Sequence, residues 1–454
     1  MEHWSRSGWI LFSSDSHGDS HGDSHGDSHG AAETIVSDAE GTSASAFAYT
    51  NFRHYATARF LTTLAVQMQS VAIGWQIYEA TGNPLDLGFI GLAQFLPFVV
   101  LVLPAGQIAD RVNRKLILSR CFGVETLCAL LLLARSLLEL TAVWPVFAVL
   151  VLFGSARAFA MPASQAITPN LVPRIAFPGA VALNSSLSHV ATIAGPALGG
   201  LLYVFGPEVV YSLVSIILCT SVLLMQRVRV PAVVPSTEPA KRQALLAGLR
   251  FVRARPVILG AISLDLFAVL FGGAVALLPA FARDTLATGP EGLGLLRTAP
   301  AIGAGVTAVL LVFCPIVRNV GRWLFAGVAV FGVSIVVFGL SKSFPLSMLA
   351  LITMGAGDMV SVYIRHMLIQ LETPDAIRGR VSAVSSVFIG ASNELGEFES
   401  GVTAAWWGIV PAAVVGGTTT LVITILWSRL FPSLWTMTEL PGSVQDDHND
   451  PQSE

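Results

Sequence analysis

Between residues 55 and 430 the chain is divided, twelve times over, into apolar runs long enough to cross a bilayer. A spanning helix needs about 20 consecutive apolar residues, because hydrocarbon offers no partner to an unpaired backbone group. The runs cover residues 55–78, 86–108, 116–137, 144–166, 178–205, 208–227, 256–282, 291–314, 322–341, 345–367, 381–407 and 410–430. Charged residues make up only 12% of the chain, about half the share in a soluble domain. An all-α integral membrane protein with twelve transmembrane helices is therefore predicted. Its net charge of −3 offers nothing to nucleic acid.

The longest polar stretch separates the sixth run from the seventh, which divides the protein six plus six. The boundaries read as a polar tail over 1–51, a six-helix bundle over 52–227, a linker over 228–255, a second bundle over 256–430 and a tail over 431–454. Residues 15–30 repeat a four-residue Asp-Ser-His-Gly unit with almost nothing to bury, as a disordered tail would. The histidines of such a tract could hold a metal, but a plain solvated tail is the reading taken, with no metal and no cofactor. The apolar stretch before it is too short for a signal peptide. Cys121, Cys128, Cys219 and Cys314 lie in apolar runs without knuckle spacing and read as packing residues.

Lysine and arginine fall on alternate connections: Arg111, Arg114 and Lys115; Arg174; Arg227 to Arg255; Arg318 and Arg322; Arg365, Arg378 and Arg380. The other connections hold little beyond Arg283 and Lys342. The positive-inside rule places the first set, with both termini, in the cytoplasm. The halves also match at an offset of 201 residues. Gly154, Pro173, Ala182, Ser185, Gly195 and Gly200 fall on Gly355, Pro374, Ala383, Ser386, Gly396 and Gly401. Parallel repeats with a midplane cavity between them describe a secondary transporter, so the two bundles are expected to be pseudo-symmetric.

Several residues interrupt the apolar runs with chemistry. Arg157 lies deep in the fourth, with Met161 and Gln165 continuing its face, and an arginine at that depth needs water or a partner. Thr62, Gln69 and Gln76 recur at intervals of seven along the first run and share a face. That stripe suits a cavity wall as well as it suits contact between two helices. Asp265 in the seventh run has no cation within a helical turn, which makes it the better candidate for a titrating group. Asp358 in the tenth shares a face with Ser361 and Arg365, which suggests a structural pair. Glu125 in the third run is less attractive. In the eleventh, Glu394, Glu397 and Glu399 fall within six positions, although each carboxylate costs about 2.5–3.5 kcal/mol to insert. Glu394 and Glu397 lie about 60° apart on a helix, on one polar stripe with Ser386, Gly390, Asn393 and Gly401. Glu399 points away.

The segment GQIADRVNRK, residues 106–115, resembles the signature between the second and third helices of the major facilitator superfamily. The resemblance covers about residues 52–430. It implies that Gly106, Asp110, Arg111, Arg114 and Lys115 form a conformational motif, with Asp110 latching against the start of helix eleven. Asn113 stands where the motif has its second glycine, and asparagine can still sustain a left-handed turn. The C-terminal counterpart is eroded to Arg318–Arg322. The segment GPALGG, with Gly195, Pro196, Gly199 and Gly200, resembles the kink motif of proton-driven exporters, although Ala182 and Ala191 replace its upstream glycines. The stretch ARAFAMPA matches Arg157 to an arginine implicated in proton movement in such exporters. In the family, helices three, six, nine and twelve lie outside the cavity, which is what counts against Glu125.

Segments such as MQSVAIGWQIYEATG and GASNELGEFESG look like the subgroup that holds the bacterial enterobactin exporter and multidrug efflux proteins. The resemblance implies a proton-coupled exporter of a small hydrophobic or amphiphilic molecule, working as a monomer in the bacterial inner membrane. Glu394, Glu397, Asp265, Arg157 and Asp358 are its coupling candidates; Thr62, Gln69, Gln76, Met161, Gln165 and Asn393 are its substrate-cavity candidates. A metabolite facilitator or importer, and a transporter-derived sensor or lipid-handling protein, remain as alternatives. No nucleophile–base set or phosphate loop supports an enzyme.

Overall fold

The computed structural model describes residues 46–230 and 241–439. The histidine-bearing repeat, residues 231–240 of the linker and the chain beyond 439 lie outside the described residues. The six helices of the N-terminal half are Thr50–Thr81, Pro84–Arg111, Arg114–Leu137, Trp144–Ile167, Phe177–Tyr203 and Pro207–Arg227. An amphipathic helix, Lys241–Ala254, precedes the second half. There the spans are Pro256–Thr285 with breaks, Pro290–Phe313, Val320–Leu340, Phe344–Glu372, Asp375–Trp407 and Ile409–Leu430.

Local sequence explains the ends. Proline, which fits the first helical turn without losing a bond, opens the helices at Pro84, Pro207, Pro256 and Pro290. Gly82 closes the first helix at φ +60°. Asn113 does not form the left-handed turn its position suggested. Its φ is −56°, and its side chain caps the third helix by accepting from the Lys115 amide. The left-handed asparagine is instead Asn319, at φ 55°, in the corresponding loop of the other half.

Nine helices are long and apolar enough to cross a membrane on length and composition alone, among the described residues. The first, fifth and eleventh, of 32, 27 and 33 residues, are long enough but more polar. Those three carry much of the polar lining described below.

The two halves repeat one packing scheme. The second helix packs on the fourth, the first on the fifth and sixth, and the third on the fourth and sixth. Adding six to each helix number gives the main contacts of the second half. The same rule relates the two largest contacts between halves, five on eight and eleven on two. The matched glycines do matching jobs. A Cβ on Gly154 would sit 2.9 Å from Gln94 Cα of helix two, and one on Gly355 2.6 Å from the Pro300 carbonyl carbon of helix eight. A Cβ on Gly200 would lie 2.8 Å from Gly294 Cα, and one on Gly401 2.6 Å from Gly88 Cα. The 201-residue register is therefore the register of the fold.

The seventh span departs from the single helix expected. It breaks after Phe271, passes through a 3₁₀ turn at Ala274–Leu277 and ends in a π-helical turn at Phe281–Thr285. Gly273 is the hinge: a Cβ there would come within 2.7 Å of Ser400 Oγ on the eleventh helix. Close approach of that helix excludes any larger residue.

One apolar core joins the halves along the second half of the first span, and it holds Met68 and Trp75 together with Leu277, Phe281 and Met354. At the opposite end the cores are separate. One holds Phe52, Tyr55 and Phe122, the other Leu264, Phe325 and Leu368. The interface is therefore sealed at one end and parted at the other.

Candidate functional site

A cavity of about 690 Å³ lies between the halves. The first helix contributes Thr62, Gln69 and Ser70, and the fourth contributes Arg157. From the other half come Arg297, Asp358, Asn393, Glu394 and Glu397. Thr62 and Gln69 of the stripe on helix one thus face the same space as Asn393, Glu394 and Glu397 of the stripe on helix eleven. Thr62 Oγ1 and Gln69 Oε1 are buried there without a hydrogen-bond partner among the described residues. Unpaired buried polar atoms are costly, so these are free to meet water or a ligand.

The principal polar contact spans the halves. Arg157 Nη1 donates to Glu394 Oε1 at 2.9 Å. The Arg157 side chain is 53% exposed and that of Glu394 17%, so the guanidinium is wetted while the acid is largely covered. Glu397 lies one turn further along and interacts electrostatically with Glu394, Arg157 and Arg297. A Cβ on Gly91 would come within 2.8 Å of its Oε2, so helix two leaves room for this acid. Glu399 does not line the cavity, as its direction on the helix predicts.

Arg297 was not singled out from sequence. Its Nη1 donates to Ser70 Oγ at 2.8 Å, a second polar bridge between halves. The signal was present: one arginine inside an apolar run, as with Arg157. Glu125 corrects a second reading. It lines the cavity although it belongs to helix three, it is 4% exposed, and its Oε2 has no hydrogen-bond partner among the described residues. Arg157 acts on it electrostatically.

Asp265 and Arg365, both buried, form an ion pair between helices seven and ten. Arg365 therefore meets Asp265 and not Asp358, the reverse of the pairing expected. Asp265 does not line the cavity, whereas Asp358 does and has no hydrogen bond or ion pair among the described residues. Other candidates are placed elsewhere. Gln76 accepts from the Tyr211 hydroxyl at 3.0 Å and joins helices one and six. Gln165 lines a second pocket, and Met161 lines neither.

The motif at 106–115 works through helix ends. Arg114 donates to the Ala166 carbonyl at 2.8 Å and Lys115 to that of Gln226 at 2.7 Å. Both carbonyls lie in the last turn of a helix, where unpaired acceptors and the dipole favour a cation. Arg111 is exposed, and the side chain of Asp110 lies outside the described residues. In the kink motif, Pro196 lines the cavity, Gly195 and Gly199 admit Gln67 and Met68 of the first helix, and Gly200 meets helix eight.

The sealed end has its own polar latch. The Tyr78 hydroxyl donates to Asp284, and Arg283 Nη1 donates to the Tyr78 carbonyl at 3.0 Å with its guanidinium 5.7 Å from the ring centre. The π-helical turn puts Arg283 and Asp284 against the end of the first span.

Residues 41–450 match the family described as transmembrane secretion effector. The chain is 25% identical over 398 residues to the enterobactin exporter EntS of Escherichia coli, covering 87% of this chain and 94% of that one. With the protein of the same name from Citrobacter koseri it shares 26% over 388 residues, 84% of this chain and 92% of the other. Among solved structures it resembles the nucleoside transporter NupG, with a TM-score of 0.65 and 12% identity over 84% of this chain and 99% of that one. It also resembles a bacterial homologue of the iron transporter ferroportin in an inward-facing state, with a TM-score of 0.61 and 15% identity over 83% and 98%. At these identities the structural likenesses speak for the fold alone.

Proposed function

Because the chain belongs to the transmembrane secretion effector family of the major facilitator superfamily, we propose that this membrane transporter exports a small hydrophobic or amphiphilic molecule, drug- or siderophore-like, by alternating access coupled to proton entry. The observation that carries the reading is the Arg157–Glu394 bond across the cavity. A contact between the moving halves whose strength depends on one proton meets the energetic requirement for coupling, since a ligand shifts an equilibrium only through unequal interaction with its two states. Protonating Glu394 removes the charge that Arg157 holds and loosens the halves at that point. Glu125, in the same half as Arg157, is then the acid left to receive the guanidinium.

Charge balance supports this. Glu125, Asp358, Glu394 and Glu397 line the cavity with Arg157 and Arg297. Four carboxylates against two guanidiniums leave an excess that a poorly solvated cavity holds only with protons or a cationic group bound. Export agrees with the name borne by the curated relatives. The lysine and arginine asymmetry supports placing the parted end, with both termini, on the cytoplasmic side of the inner membrane.

The test is transport by purified protein in proteoliposomes under an imposed pH gradient, with enterobactin and a hydrophobic cationic dye as first probes. Accumulation should follow the gradient. Transport indifferent to the gradient, in both wild type and Glu394→Gln, would overturn proton coupling.

A further inference from the structure

A second pocket, of about 440 Å³, lies among helices one, four and five at the parted end. Arg59, Gln165, Asn184, Ser185, Ser188 and His189 form its polar wall. Among the described residues no carboxylate lines it, in contrast to the four in the central cavity. Arg59 is half-buried within the first span. Its one side-chain hydrogen bond among the described residues is to the Tyr55 hydroxyl at 3.5 Å, and that hydroxyl donates to the Ser164 carbonyl at 3.0 Å. A guanidinium carries five N–H donors, so most of those on Arg59 remain unspent. Here the neighbours are hydroxyls, amides and an imidazole, which complement an anion and cannot neutralise the arginine.

The pocket leads inward along its own helices. Arg59 lies one turn from Thr62 and Thr63, Gln165 two turns from Arg157, and Ser188 two turns from Pro196, all on the cavity wall. We propose that this pocket is a staging site for an anionic group, a carboxylate or phosphate, held by Arg59 on the path to the central cavity. The path, though not the anion site, rests on the transport reading above. A phosphate could come from a soluble molecule or from a lipid headgroup in the same geometry.

Cysteine labelling tests the site without requiring transport. Ser185 is exposed on the pocket wall, and Cys121 and Cys128 are buried, so Ser185→Cys with Cys219→Ser and Cys314→Ser leaves one reactive thiol at the site. In phosphatidylcholine nanodiscs, a sulfonate-bearing methanethiosulfonate should outpace a trimethylammonium one by about tenfold, relative to free cysteine, because a cationic recess concentrates anions. Arg59→Gln should abolish the preference. Gln165→Glu, which places an acid in the pocket and keeps Arg59, should do so independently. Slowing by inorganic phosphate identifies a soluble-anion site, and slowing only when phosphatidylglycerol is added identifies a headgroup site; each upholds the proposal. A ratio no higher than that of free cysteine, or one unmoved by both variants, overturns it. Loss of proton-driven transport with charge-selective labelling intact would count against the transport reading alone.

Discussion

Arg157 of the fourth helix and Glu394 of the eleventh meet at 2.9 Å, each supplied by a different half of the molecule. No other ion pair found among the described residues both joins the halves and lines the cavity. Alternating access requires the halves to rock against one another, so this bond must change during the cycle.

If Glu125 receives Arg157 when that bond opens, Glu125→Gln should slow proton-driven transport on the order of tenfold, the middle of the usual range for coupling energies. Protein yield and thermal stability should remain close to wild type, because the substitution removes an unpaired buried carboxylate. Flux measurements beside a melting curve separate the two effects.

The Asp265–Arg365 pair is expected to serve stability rather than coupling. Asp265→Asn strands a buried guanidinium and should cost about 3–5 kcal/mol, whereas replacing both partners by apolar residues should be roughly neutral. Thermal unfolding in detergent should show a large fall for Asp265→Asn and recovery in Asp265→Leu/Arg365→Met. Proton-driven transport by the double variant should persist.

This pair also shows what the sequence could and could not reveal. The twelve spans and the 201-residue register were legible because the bilayer constrains each helix separately and a repeat preserves packing glycines such as Gly154 and Gly355. Ion pairs are made between helices, and a single helix does not name its partner. Asp358 shares a face with Arg365, yet the guanidinium turns to Asp265 across an interface that spacing does not encode. The position of its helix counts against Glu125, although its side chain reaches the cavity. Arg297 was legible by the rule that marked Arg157. The break in the seventh span depends on Ser400 and the eleventh helix meeting Gly273, a contact between residues far apart in the chain.

The glycine contact at the sealed end predicts a reversible lock. A Cβ on Gly401 would approach Gly88 Cα at 2.6 Å, so the halves touch there backbone to backbone. Gly88→Val should push this seal apart and increase labelling of a cysteine introduced at Asn393 on the cavity wall from that side of the membrane. Unchanged accessibility would show that the contact does not hold the end closed.

The latch beside it gives a milder prediction. Tyr78→Phe removes the hydroxyl that Asp284 accepts from. A hydrogen bond to a charged group contributes about 1.5–3 kcal/mol, so the variant should favour the state open at this end. Double electron–electron resonance between spin labels on the two halves would record the shift in distance populations.

The most direct measurement is proton movement itself. Proteoliposomes enclosing a pH-sensitive dye, given enterobactin or whichever compound accumulates in cells lacking the gene, should show proton flux that accompanies substrate flux in the wild type. Glu394→Gln should bind substrate and carry no coupled protons. Equal proton movement in the variant, or substrate flux without any in the wild type, would contradict a coupling step built on Arg157 and Glu394.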